Sequence, residues 1–106
     1  MKEIKLVPDA PFAHKVDVAV MDFVDGGKER QRCKIIVEYS QFDIGQLWKN
    51  GLDYDGAMDW YEKRIYNVVK YHISQDWQCV GGWEDVMNIV SQKVKEFYEQ
   101  KKSCTQ

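Results

Sequence analysis

The chain has 106 residues, a formal net charge of −2, and 44% hydrophobic and 13% aromatic residues. That length fits one globular domain, spanning 1–106, and that apolar content excludes a disordered chain. Acids and bases are mixed, without the basic excess that duplex-DNA binders draw on, and no window approaches the ~18 apolar residues of a membrane span.

Four Trp and six Tyr are a heavy load for this length, so some rings are expected at the surface or in an interface. Cys33, Cys79 and Cys104 are scattered and odd in number. Such a set argues against a secreted disulfide framework and for a reducing compartment. The start, MKEIKLVPDAPF, carries no signal-peptide h-region. The expectation is a soluble, cytoplasmic protein that does not enter the membrane.

Residues 3–7, EIKLV, alternate polar and apolar, which predicts a short strand ended by Pro8 and Pro11. Over 14–24, Val16, Val18 and Val20 share one face and Ala19, Met21 and Phe23 the other. β-branched residues on a period of two favour a strand, and the second apolar face suggests cover on both sides. Asp25-Gly26-Gly27-Lys28 reads as a turn, because both glycines tolerate positive φ. Residues 30–39 then return as the second strand of a hairpin. Cys33, Ile35, Val37 and Tyr39 point one way; Arg32, Lys34, Ile36 and Glu38 point the other.

Residues 40–52 read as a short helix or a loop. In the helical version Asp43 is the cap, Gln46 completes a capping box, and Gly51 supplies a left-handed stop. The clearest helical pattern follows, over about 55–73. Met58, Tyr61, Ile65, Val68, Val69 and His72 recur at steps of three and four, with Asp53 or Asp55 as the N-cap. Ser74 to Gly82 is a connector with room for a few extended residues, in which Trp77 and Val80 are expected to fold back on the core. A last helix over about 83–101 carries the stripe Trp83, Val86, Met87, Val90, Val94, Phe97 and Tyr98, and the end of the chain should fray.

The fold class expected from these elements is α+β. A small antiparallel sheet of two or three N-terminal strands packs against two long C-terminal helices.

No catalytic, metal or nucleotide motif stands in the chain, and no cofactor is expected. His14 and His72 lack metal-ligand spacing, and His72 reads as a residue near a helix C-terminus, where its charged form is favoured. A thiol enzyme would need folding to bring Cys79 beside His72 or His14. Gly81-Gly82 precedes a helix, but Glu84 and Asp85 directly after it would repel a phosphate. Asp53-Tyr54-Asp55-Gly56 fails as a calcium loop, because the glycine falls at position 4 and Arg64 stands at position 12.

The most informative cluster is acidic and aromatic: Asp53, Tyr54, Asp55, Asp59, Trp60 and Glu62. Rings anchor and charges steer, so this set suits a protein partner with a basic patch. The same residues serve helix capping and loop packing equally well. Arg30, Arg32 and Lys34 form a basic row on one face of the hairpin's second strand. That row suits a nucleic-acid backbone, or a solvated edge that discourages aggregation.

The functional expectation is a small non-enzymatic protein-binding module. Inhibitors, immunity-type proteins and anti-defence accessory proteins of bacteria or phage fit the profile, acting by occluding a partner's surface. One alternative is a nucleic-acid-associated module using the basic row. Another is a self-associating structural protein, with a homodimer face built from the remaining Trp and Tyr.

Overall fold

Alternation suits the second strand to an inner place in the sheet, and the computed structural model, which describes residues 1–24 and 26–104, shows how. Seven elements run in the order β1 (Lys2–Pro11), β2 (Lys15–Phe23), β3 (Glu29–Glu38), α1 (Gln41–Lys49), α2 (Tyr54–His72), β4 (Trp77–Gly81) and α3 (Trp83–Cys104). Val16, Val18 and Val20 of β2 are fully buried. β2 pairs antiparallel with β1 on one side and with β3 on the other. The β2–β3 turn is held by the Val24 N–H, which donates to the Lys28 carbonyl at 2.9 Å. Gly26 and Gly27 both take positive φ there, and Asp25 lies outside the described residues.

The class is α+β, as expected, but the sheet is larger. It has four strands in the order β3-β2-β1-β4 and is mixed, because β4 runs parallel to β1. The segment expected as a connector supplies β4, with Trp77 opposite Lys2 and Cys79 opposite Ile4. β1 also runs past Pro8, where it was expected to stop. The reason is local. β4 reaches only as far as Lys5, so beyond it β1 is an edge, where a missing N–H costs nothing in the ladder. A register shift between Pro8 and Pro11 completes the accommodation.

Among the described residues three helices form, the two long ones expected and a short one. Residues 40–52 contain α1, whose cap is Ser40 and not Asp43. The Ser40 hydroxyl accepts the Asp43 N–H, and the Asp43 carboxylate accepts the Ser40 N–H at 3.1 Å, so Asp43 completes the box. Gly51 stops the helix in the left-handed region, at φ 82°. α2 is capped by Asp53, whose Oδ1 accepts the Gly56 N–H at 2.8 Å. Ala57, Tyr61, Ile65 and Val69 form its buried row; His72, expected on that face, is exposed against Tyr71. α3 buries Val86, Val90, Val94 and Tyr98, four residues apart each time, and continues through Cys104, past its expected end near Lys101; Thr105 and Gln106, where fraying was also expected, lie outside the described residues.

The helices cover one face of the sheet. Their buried rows join Ile4, Leu6, Ile35 and Val37 in one apolar cluster. The opposite face was expected to have partial cover. It carries ion pairs, Lys5–Glu29 at 2.5 Å and Lys34 with Asp9 and Asp17 at 3.0 and 3.6 Å, beside exposed Ile36.

Gly82 fixes how α3 meets the sheet. A Cβ there would stand 1.7 Å from the Leu6 carbonyl oxygen, and φ is +80°. The glycine is a close approach of backbone to backbone, so Gly82 serves packing.

Candidate functional site

A cleft of about 670 Å³ opens where α1, α2 and α3 come together at one end of the helical layer. Three local decisions of the sequence build it. Gly51 ends α1 and turns the chain. Leu52 then folds inward against the core, and its carbonyl accepts the Tyr98 hydroxyl at 2.6 Å, which ties the loop to α3. Asp53 starts α2, and the next residue, Tyr54, shares a hydroxyl hydrogen bond with Ser91 of α3.

The walls of this cleft are Trp48, Leu52, Tyr54 and Tyr98, with Gly51, Asp53, Asp55 and Lys102 at the same opening. Trp48 and Tyr98 meet edge to face, with centroids 5.0 Å apart at 86°. The volume is in the range of pockets that take a small molecule or a partner's side chains. Burial pushes the Tyr98 phenol above its ordinary value, and the charge of Asp53 adds to that. The carboxylate's field therefore reaches the ring that forms the cleft wall.

Half of the acidic and aromatic set lies at this opening: Asp53, Tyr54 and Asp55. The other half lies further along α2. Asp59 pairs with Lys63 at 2.9 Å, and Glu62 is exposed. Trp60 is 43% exposed and packs edge-on against Tyr61, with centroids 5.0 Å apart. Asp55, Asp59 and Glu62 share a side of the helix, and Trp60 stands roughly 100° round from Asp59. The six residues are thus a cleft group, two carboxylates further along the same side of α2, and a separate exposed ring.

Sequence reasoning missed Trp48, Leu52, Tyr98 and Lys102 as partners in one site. Tyr98 did carry a signal. A tyrosine on a buried helical stripe has a hydroxyl that must find an acceptor, and here that acceptor is in the loop that borders the cleft.

The basic row is divided by the fold. β3 has a bulge between the pairs Val20↔Cys33 and Met21↔Gln31, so Arg32 is the extra residue. Its guanidinium Nε donates to the fully buried carboxylate of Asp22 at 2.6 Å. Lys34 turns to Asp9 and Asp17 on the open face, and the hydrogen bond and charge of Asp9 raise its pKa. Arg30 is exposed.

Among the described residues, no group of three or more His, Cys, Asp or Glu is placed to hold a metal ion. The Cys79 thiol donates to the Gly81 carbonyl at 3.2 Å and not to a histidine. Burial pushes the Cys33 thiol above its ordinary value, which lowers its thiolate fraction and its reactivity. No helix among the described residues is long and apolar enough to cross a membrane. Comparison with family models, with curated proteins and with solved structures gives no match.

Proposed function

We propose that the chain is a non-enzymatic protein-binding module that covers a basic patch on its partner with the start of α2. One observation carries this reading: Asp53, Tyr54 and Asp55 open onto a cleft with aromatic walls, beside an exposed carboxylate row that runs on through Asp59 and Glu62. Carboxylates in that position steer a basic partner, and the rings supply apolar contact area. The narrower assignment, an inhibitor, immunity-type or anti-defence accessory protein, rests on small size and surface composition. A nucleic-acid role for Arg30, Arg32 and Lys34 finds less support, because two of the three are engaged in ion pairs within the molecule.

The test begins with a partner captured from the native host and continues with surface-plasmon kinetics. Asp55→Asn combined with Asp59→Asn should slow association several-fold at low salt and leave dissociation nearly unchanged. Raising ionic strength should erase the difference, since exposed charges are screened within about 8–10 Å. Association rates that match the unmodified protein at every salt concentration would move the binding surface away from α2.

A further inference from the structure

Resting on that reading, we propose that the cleft between α1, α2 and α3 is the seat of one side chain of the partner, an arginine, whose guanidinium lies against Trp48 and donates to Asp55.

The charge at the opening points to a cation. Among the residues that line it, two carboxylates, Asp53 and Asp55, stand against one ammonium, Lys102. Asp53 has one oxygen committed to the α2 cap, yet a carboxylate offers about four acceptor sites. Asp55 is exposed in the first turn of the helix.

The walls point to a cation that can also stack. Trp48 and Tyr54 are half-buried and aromatic, and Leu52 lines the cleft with them. Aromatic faces in this part of the molecule already attract positive charge. The Lys95 ammonium lies 5.7 Å from the Tyr54 ring centre, and that of Lys101 lies 5.5 Å from Phe97. A lysine ammonium is strongly hydrated and would enter an aromatic-walled cleft at a high desolvation cost. A guanidinium is planar, weakly hydrated and able to stack while its edge donates to a carboxylate. The cleft is larger than one side chain, so a neighbouring residue of the partner fits beside the arginine.

The experiment uses the intact chain and two blocked pentapeptides, four glycines around a central arginine or around citrulline, its neutral isostere. Indole N–H resonances report each Trp separately, with Trp48 assigned through Trp48→Phe and the site cross-checked on the Tyr54 and Asp55 amides. The arginine peptide should shift the Trp48 indole and those amides saturably, and the citrulline peptide should need about tenfold more for the same shift. Asp55→Asn should weaken the arginine peptide by about fivefold, with an unchanged melting temperature. Asp53→Ser keeps a good helix cap while removing charge, and should weaken it too. Equal responses to the two peptides, or shifts confined to Trp60, would overturn the proposal. The two readings fail separately. Loss of arginine selectivity with charge-dependent partner kinetics intact removes the arginine seat alone. Selective peptide binding with charge-independent partner kinetics removes the α2 surface as the partner's site and keeps the seat.

Discussion

Individual side chains explain much of the unusual aromatic load. The hydroxyls of Tyr39, Tyr61 and Tyr98 donate to the backbone carbonyls of Phe12, Glu38 and Leu52, so each ring fills core volume and pins a chain segment at its tip. Gly82 acts in the opposite way, through what it lacks. Gly82→Ala would drive a Cβ into the Leu6 carbonyl and add left-handed strain, so it should cost about 3 kcal/mol or more of unfolding free energy. Gly27→Ala has the same strain and open space around it, so denaturant melts should show a loss of only ~1 kcal/mol. Asp22 is the buried charge among the described residues, at 0% exposure, with Arg32 at 2.6 Å and Lys2 at 3.6 Å on the same oxygen. Burial pushes its carboxyl up, but the Arg32 hydrogen bond and the Arg32 and Lys2 charges outweigh that and hold it below the ordinary aspartate range. The folded chain therefore binds this proton less readily than the unfolded chain. The stabilisation is full above the unfolded pKa of ~3.9 and is lost as pH falls through the lower, folded value. Asp22→Asn should cost roughly 1.5–3 kcal/mol at pH 7, held to that range because Arg32, 37% exposed, can turn to water. Urea melts from pH 6 down to pH 2 should show a shallower acid slope for the variant. An unchanged slope would mean that other carboxylates set the acid limit.

At the level of elements, α3 gives the sharpest test of packing. Val90 is fully buried in the middle of the row Val86, Val90, Val94 and Tyr98. Val90→Asp places a carboxylate there without a partner, and should cost about 4 kcal/mol or more, a large share of the stability of a small domain. Thermal melts in which Val90→Asp unfolds at the temperature of the unmodified protein would remove the buried assignment of this face. The row was legible in the sequence because helical periodicity is local, and the same holds for α2 and for the β2–β3 hairpin with its Gly26-Gly27 turn. β4 was not legible. It is five residues long, ends in glycine, and pairs with β1, more than seventy positions earlier, so nothing local marks its partner. The Arg32 bulge was hidden for a related reason. Strict alternation put Arg30, Arg32 and Lys34 on one face, whereas the pull of buried Asp22 is visible only after β2 and β3 pair. The candidate site divides in the same way. Asp53, Tyr54 and Asp55 could be read from their place at the start of a helix, but Trp48 and Tyr98 reach them only through tertiary packing.

Across the whole molecule, the helical layer carries large rings on its outside as well as inside. On α2, Trp60, Tyr66 and Tyr71 remain 43%, 49% and 82% exposed. Trp60 and Tyr71 are eleven residues apart, three full turns, so they lie along one side of the helix, ~16 Å from each other. Tyr66 lies on another side, where its ring packs against Trp77 at 5.0 Å. Trp60 follows Asp59 directly in the chain, about 100° round the helix from it, and Trp is among the residue types enriched in interface hot spots. Trp60→Ala should therefore weaken binding of the captured partner by at least ~2 kcal/mol, and most of that should appear as faster dissociation. The fold should survive. The variant loses the edge-on packing against Tyr61, worth roughly 0.5–1.5 kcal/mol beyond the area buried, and Tyr61 keeps its hydrogen bond to the Glu38 carbonyl at 2.9 Å. For a chain of this size a 1 kcal/mol loss lowers the melting temperature by about 4–8 °C, so the variant stays folded at 25 °C and its kinetics report on the interface. A dissociation rate within twofold of the unmodified protein would show that Trp60 packs for the molecule's own stability. The anchor would then be sought at Trp48 in the cleft, where Trp48→Phe should raise the dissociation rate while Trp60→Ala leaves it alone.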